Sequence, residues 1–271
     1  METDMIRLLP GLLALGLTAP ALAQKPESPV AVAPRDFVSA GVAVLPDYTG
    51  SDEYRFLPFA AARVEIGSVT LQTEGPGLVA TLYESGPVEL GVYARAYGGR
   101  DDDIDDAVVR RLPEIDTAAV IGAFARADLA RGLLSDYDSI SVTARAGGDV
   151  TGTFGGAIWS GEIQYGAPLS RTSFAGIGLS VTGVSEDYGD LHFSIDPAGA
   201  AASGLPVYEA GSGIRDISLT AIWDQGITPD WSVTTIFGYS RLLGDFADSP
   251  IVAERGSPDQ VFAGIGLGRK F

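Results

Sequence analysis

The sequence predicts an all-β protein, a transmembrane up-and-down antiparallel β-barrel of twelve strands, with ten strands as the alternative count. Apolar residues alternate with polar or small ones along most of the chain, the pattern of a two-faced strand. The connections between these segments alternate between long and short, as they do in outer-membrane barrels. After the amino-terminal segment, no apolar run is long enough for a spanning helix.

Composition agrees with this fold class and excludes several functions. Of 271 residues, 35 are Gly and only 20% are charged, which favours strands and turns over a helix-rich enzyme. The formal charge of −17 predicts that nucleic acid is repelled and is not a partner. The absence of cysteine excludes disulfides, thiolate metal sites and a cysteine nucleophile, and one histidine cannot form a histidine-rich metal site.

The amino terminus has the pattern of a secretory signal. Residues 6–22 are apolar apart from Arg7 and Thr18, and the run ends in Ala21-Leu22-Ala23, the small-residue pattern of a cleavage site. The run is too short for a membrane anchor. The predicted organisation is therefore a signal peptide over 1–23, a flexible, Pro-rich periplasmic lead-in over 24–36 and the barrel over 37–271.

Twelve segments carry the strand pattern. In one of them Val88, Leu90 and Val92 alternate with Glu89 and Gly91. The predicted strands are 37–45, 54–64, 66–74, 77–84, 87–99, 117–130, 138–149, 157–167, 172–182, 214–225, 231–242 and 260–271.

The lengths of the connections indicate which rim is extracellular. The long connections, such as 100–116, 183–213 and 243–259, are all odd-numbered along the chain, and the even-numbered ones, such as 226–230, are short. An up-and-down barrel places odd and even connections on opposite rims. Long extracellular loops and short periplasmic turns are therefore expected.

Alternation alone does not distinguish a soluble barrel, with its apolar face inside, from a membrane barrel, with that face toward lipid. Three features favour the membrane. The polar face carries charges that can pair across a wet lumen: Glu89, Arg95, Arg126, Arg145, Asp149 and Glu162. Aromatic residues lie beside the short turns, as a membrane-interface belt requires: Tyr83, Tyr165, Trp223 and Trp231. The last strand ends on Phe271, which resembles the signal read by the barrel-insertion machinery.

Segments near both ends of the chain carry a family resemblance. They include Gly41-Val42-Ala43-Val44 with Pro46-Asp47-Tyr48, Ala200 to Gly213, Tyr239 to Asp245, and Asp248-Ser249-Pro250-Ile251-Val252. With these segments the chain resembles the MipA/OmpV family of outer-membrane proteins. One departure is Arg269 in Arg269-Lys270-Phe271, where family members commonly have tyrosine.

The resemblance implies location more firmly than activity. It implies residence in the bacterial outer membrane, in contact with lipid and lipopolysaccharide, and a non-enzymatic scaffold that links a murein transglycosylase to a murein synthase. Some members look like small-solute channels or adhesins, so these remain alternatives. No cofactor is expected, and no residue is assigned to catalysis, cofactor binding or metal binding.

Two motifs could carry chemistry, and each has a simpler interpretation. His192-Phe193-Ser194 has the spacing of lipid A deacylases, in which His192 and Ser194 would act as base and nucleophile, but the motif falls in a predicted loop. Five carboxylates within Asp101 to Asp106 could hold calcium, or divalent ions that bridge to lipopolysaccharide phosphates, but a solvated acidic loop is the expectation because the spacing is not that of a calcium loop.

Overall fold

A computed structural model describes residues 36–271 of the protein, which contain twelve strands and four short helices. The predicted signal peptide and all of the predicted lead-in except Asp36 lie outside the described residues. The strands are β1 (Phe37–Pro46), β2 (Tyr54–Ile66), β3 (Val69–Glu74), β4 (Gly77–Ser85), β5 (Val88–Tyr97), β6 (Ala118–Arg131), β7 (Ser139–Asp149), β8 (Ala157–Pro168), β9 (Ser173–Val184), β10 (Gly213–Gly226), β11 (Trp231–Leu242) and β12 (Asp259–Lys270). The helices are α1 (Glu186–Phe193), α2 (Pro197–Ser203), α3 (Asp245–Asp248) and α4 (Pro250–Ala253), and a 3-10 turn covers Val109–Arg111.

The strands form one closed antiparallel barrel in which each strand pairs with its neighbours in sequence. The first and last strands close it, with Phe37 opposite Lys270 and Val44 opposite Ala263. The prediction of a twelve-strand up-and-down barrel is confirmed. The largest difference is at the start of β3, because Gly67 adopts a positive φ of 65° and places a turn where the sequence pattern suggested a strand.

The predicted alternation of connection lengths is present in the three longest connections. The even-numbered connections are 67–68, 86–87, 132–138, 169–172 and 227–230, and all of them are short. The long odd-numbered connections are 98–117, 185–212 and 243–258, and they contain all the described helices. The other odd-numbered connections are shorter: 47–53 and 150–156 are as long as the even-numbered 132–138, and the turn at 75–76 joins two short strands. By the usual arrangement, the rim with the short turns is periplasmic.

The outer face of the barrel is apolar and the inner face carries the charges. Ile163 on β8 lies between Val142 and Leu179 on the adjacent strands, and both Ile163 and Leu179 are exposed outward. Trp223 and Trp231 are exposed near the short turns, and the Trp223 Nε1 donates a hydrogen bond to Ser173 Oγ at 2.8 Å. An apolar belt with an aromatic rim and a charged interior is the pattern of a barrel in lipid. The protein is an outer-membrane barrel.

None of the helices within residues 36–271 is long and apolar enough to cross a membrane.

Candidate functional site: the extracellular cap and the periplasmic rim

The long connections fold over the extracellular end of the barrel as a packed cap. One apolar cluster in this cap joins the buried Tyr188 and Phe193 of α1 to Phe246 of α3 and to inward-facing wall residues such as Val120 and Phe124. A second cluster combines four different connections: Tyr48, Ile104, Val109, Leu112, Ile195, Leu205 and Ile251. Because the first cluster includes residues of the barrel wall, the cap is anchored in the upper lumen.

Local signals start and stop the helices of the cap. The Asp196 carboxylate accepts a hydrogen bond from the Gly199 N–H at 2.6 Å, and Pro197 occupies the first turn of α2. Gly204 ends α2 with a φ of 84°, a conformation that favours glycine. The sequence predicts only a loop here, because seven or eight residues are too few to display a helical period.

A buried cation ties the cap to the barrel wall. Arg215 of β10 donates to the Tyr188 hydroxyl at 2.7 Å and to the Asp216 carboxylate at 2.7 Å. Its guanidinium also lies 5.5 Å from the centre of the Tyr188 ring. The His192 ring stacks on the Tyr188 ring, with centroids 4.0 Å apart. The network therefore connects α1 to the wall through one tyrosine.

The structure gives His192 and Ser194 separate structural roles. The His192 Nδ1 bonds the Tyr188 carbonyl at 3.0 Å within α1, and Ser194 Oγ accepts the Ala210 N–H at 2.8 Å. Burial lowers the pKa of His192 to about 4, and the cations Arg215 and Arg100 also lower it. Among the hydrogen bonds of the described residues, none joins the His192 ring to Ser194, so the base and nucleophile arrangement is not formed.

Acidification should loosen the cap through His192. A histidine with a pKa of about 4 in the folded protein and about 6.5 when unfolded stabilises the fold above pH 6.5, and this contribution is lost as the pH falls toward 4. Complete loss of this contribution lowers the free energy of unfolding by up to ~3 kcal/mol. Proteinase K added to intact cells should therefore cut the 185–212 connection faster at pH 5 than at pH 7. In His192→Phe, which keeps a ring against Tyr188, the cleavage should change less with pH; an equal change would contradict the role of His192.

The acidic loop is partly built into the cap. Asp106 is buried, accepts the Val108 and Val109 N–H groups at 2.8 Å each, and pairs with Arg255 at 2.6 Å. Burial by itself would raise the pKa of Asp106, but these hydrogen bonds lower it overall. The expectation of a wholly solvated loop is therefore wrong for Asp106, because its carboxylate caps the 3-10 turn.

Three carboxylates near this loop approach one another. The carboxylate oxygens of Asp47, Glu53 and Asp105 lie within 4.8 Å of one another. Burial, and then neighbouring carboxylates such as Asp105, raise the pKa of Glu53. Asp47 already accepts the Asp105 N–H at 2.9 Å and lies 3.4 Å from Arg55 Nε. The group is held together by these contacts.

The lumen contains paired charges, as the alternation of residues predicted. The Arg145 guanidinium forms ion pairs with the carboxylates of Glu74 at 2.8 Å and Glu162 at 3.4 Å, and the three residues lie on three different strands. Toward the periplasmic end, Lys270 pairs with Asp224 at 2.9 Å. Arg126 and Glu89 are 3.9 Å apart. These pairs narrow the lumen below the cap.

The 132–138 turn is the longest of the periplasmic connections and it is tightly braced. The buried Asp138 carboxylate accepts the N–H groups of Leu133, Leu134 and Ser135 at 2.6, 2.6 and 2.9 Å. It also accepts the Tyr165 hydroxyl at 2.9 Å. Burial alone would raise the pKa of Asp138, but the hydrogen bonds lower it.

This bracing holds three apolar side chains out from the rim. Leu134 is 85% exposed, and Leu133 and Tyr137 are each 52% exposed. Exposed apolar groups on a fixed backbone are suited to binding, since little conformational entropy is lost when a partner docks. This surface was not predicted from the sequence. Its available signal was Ser135-Asp136-Tyr137-Asp138 beside a leucine pair in a predicted turn.

Residues 38–271 match the family described as MltA-interacting protein MipA. The chain belongs to this family. Two of the segments that carry the family resemblance lie in the cap and its anchoring strands: Ala200 to Gly213 and Tyr239 to Asp245. Family-like residues therefore build the cap.

The NanC porin shares 9% identity with a TM-score of 0.44, and the alignment covers 87% of this chain and 100% of that one. OmpT of Vibrio cholerae shares 9% identity with a TM-score of 0.37, covering 87% and 97%. OprD of Pseudomonas aeruginosa shares 11% identity with a TM-score of 0.36, covering 87% and 65%. No curated protein is detectably similar in sequence.

Proposed function

We propose that this MipA-family protein is a non-enzymatic outer-membrane scaffold that holds peptidoglycan-remodelling enzymes at the periplasmic rim. The family description names an interaction with MltA, a murein transglycosylase, and the family resemblance adds a murein synthase as a second partner. The observation that carries the proposal is the braced 132–138 turn. It offers Leu133, Leu134 and Tyr137 on a backbone fixed by Asp138.

The cap supports a scaffold over the alternative of an open channel. Buried residues from several long connections, such as Phe193, Ile195 and Ile251, pack against one another over the extracellular end. Ion pairs such as Arg145 with Glu74 occupy the lumen below. A passive channel needs a continuous wet path, which this packing obstructs. Purified protein in planar bilayers should accordingly give no steady unitary current; regular steps would favour the channel.

Replacing the exposed side chains of the turn should release the partner. In Leu133→Ser/Leu134→Ser/Tyr137→Ser, the amount of murein transglycosylase that co-purifies from crosslinked envelopes should fall by at least about 10-fold, because the central apolar contacts of an interface carry most of its affinity. Mass spectrometry of the purified complexes measures this amount.

A matched control comes from other periplasmic turns. Leu169 and Ile227 are 64% and 62% exposed, so Leu169→Ser/Ile227→Ser removes apolar side chains of comparable exposure at the same rim. The control should retain the partner, and both variants should keep the heat-modifiable migration of a folded barrel. Equal partner recovery with the two variants would contradict the role of the 132–138 turn.

We further propose that the mature chain starts at Gln24, after removal of residues 1–23, with 24–36 as a periplasmic lead-in. The small residues at Ala21 and Ala23 support cleavage at this point. The intact mass of the protein purified from outer membranes tests the cleavage site directly.

A further inference from the structure

The wall of the barrel has a gap beside β2. Strand β3 pairs with β2 only from Arg63 to Ile66, although β2 begins at Tyr54, and the β3–β4 turn is at 75–76. Residues 54–61 pair with β1 on one side. On the other side, no strand among residues 36–271 pairs with them. The eight residues extend about 26 Å along the strand at about 3.3 Å each, so the gap reaches well into the outer leaflet.

The backbone groups that face the gap follow from strand alternation. The Ala62 N–H donates to Thr73 Oγ1 on the β3 side at 2.9 Å, so the backbone groups of Ala60, Pro58 and Phe56 point to the same side. Open sheet edges are not tolerated against lipid unless they line a cavity or gain a partner. Pro58 lacks an N–H and is the residue type that marks an unpaired edge. The edge is therefore poorly suited to pairing with another strand.

An apolar track inside the barrel leads to this gap. In the register of the sheet, Ile236 lies opposite Gly264, Gly264 opposite Ala43, and Ala43 opposite Leu57 at the open edge. All four face the lumen, and none is polar. Membrane barrels usually have polar interiors, and the other side of this lumen carries the Arg145 ion pairs.

The ring of Phe59 covers two glycines of the wall beside the track. A Cβ at Gly41 would lie 2.7 Å from the Phe59 Cζ atom, and one at Gly266 would lie 2.9 Å from it. The Phe59 ring therefore lies over both glycines, close to the wall. Leu57 at the open edge is 39% exposed, and Phe56 on the outer face is 76% exposed. Apolar surface therefore continues from the lumen through the gap to the lipid side.

We propose that the gap between β2 and the β3–β4 turn is a lateral entry site for the acyl chain of an outer-leaflet amphiphile. The chain lies along the track formed by Ile236, Gly264, Ala43 and Leu57. The free carbonyls of Phe56, Pro58 and Ala60 accept hydrogen bonds from hydroxyl or amide groups of the amphiphile. The cap blocks entry along the barrel axis from the extracellular end, so the acyl chain enters sideways from the membrane beside the gap.

Lipid-borne quenchers test whether acyl chains pass the gap. The protein has no cysteine, so Leu57→Cys, Ser160→Cys and Ile163→Cys each carry one bimane label. Ser160 faces the lumen opposite Arg145, and Ile163 faces lipid. In vesicles of phosphatidylcholine with a doxyl group on its acyl chain, quenching at Leu57 should be at least about 3-fold that at Ser160 and approach that at Ile163. Equal quenching at Leu57 and Ser160 would overturn the proposal.

A bulky side chain placed in the track should block binding of the acyl chain and leave the outer surface of the barrel unchanged. Ala43→Phe adds a ring to the track, and Ala40→Phe adds the same ring to the lipid face of the same strand. The affinity of the folded barrel for the fluorescent fatty acid cis-parinaric acid should fall at least about 10-fold in Ala43→Phe and by less than about 2-fold in Ala40→Phe. Equal affinities in the two folded variants would overturn the proposal.

A second copy of the chain is the competing occupant. If two β2 edges paired, Phe56→Cys would form a disulfide-linked dimer in native outer membranes. The proposal expects Phe56→Cys to remain monomeric, and a dimer in high yield would overturn it.

Discussion

Ile163→Arg should lower the stability of the barrel in lipid by about 2 to 4 kcal/mol, the cost of a positive charge near the bilayer midplane. Ile163 is central in β8, 45% exposed on the outer face, and flanked by Val142 and Leu179. A guanidinium there has no partner and would meet hydrocarbon. Urea titration of the folded barrel in phosphatidylcholine vesicles, followed by tryptophan fluorescence, measures the change in the free energy of unfolding.

The adjacent residue provides the matched control. Gln164 faces the lumen, so Gln164→Arg introduces the same charge on the same strand without meeting lipid. Its effect should be below about 1 kcal/mol. The penalty at Ile163 should also shrink in thinner bilayers, because the arginine then reaches the interface. Similar losses at the two positions, independent of bilayer thickness, would contradict the assigned faces.

Arg215→Met should open the cap, with a loss of about 3 to 5 kcal/mol because a buried carboxylate is left without its cation. Arg215 and Asp216 have side-chain exposures of 14% and 6%, and the substitution also removes the donor to the Tyr188 hydroxyl. Proteinase K added to intact cells should then cleave the 185–212 connection, which the native cap protects. The rate of cleavage reports the loss of packing.

Arg241→Met is the control for removing an arginine without removing a buried ion pair. Arg241 pairs with Asp259 at the surface, with exposures of 53% and 46%. Exposed pairs of this kind contribute about 0 to 1 kcal/mol, so protection should be retained. The double variant Arg215→Met/Asp216→Leu should recover part of the protection that Arg215→Met loses, since no uncompensated charge remains. Equal cleavage in Arg215→Met and Arg241→Met would mean that the buried network does not hold the cap.

Strands β8 and β12 show which structural features the local sequence pattern predicts. Alternation along Ala157 to Tyr165 predicted the strand and its two faces, because a strand with lipid on one side and water on the other tends to change polarity from one residue to the next. The glycines of β12, Gly264 and Gly266, were expected to leave lumen space. The structure places other inward side chains in that space: a Cβ at Gly266 would lie 2.9 Å from the Phe59 ring, and one at Gly264 would lie 3.1 Å from the Ile236 Cγ2 atom.

By itself, the sequence determined the barrel, its twelve strands, the side that faces lipid, the extracellular rim and the family. The strands and rims follow from residue periodicity and from the lengths of connections, and the lipid-facing side from the placement of charged and aromatic residues, all of which are local. The family was indicated by the resemblance of particular segments. Only the tertiary structure decided that the long connections form a cap, that Asp138 braces a periplasmic turn, and that β3 leaves part of β2 unpaired. The cap depends on contacts between distant segments, such as Arg255 with Asp106 and Arg215 with Tyr188. The bracing by Asp138 is mostly local but includes Tyr165 of β8, and none of these contacts leaves a periodic signal in the chain.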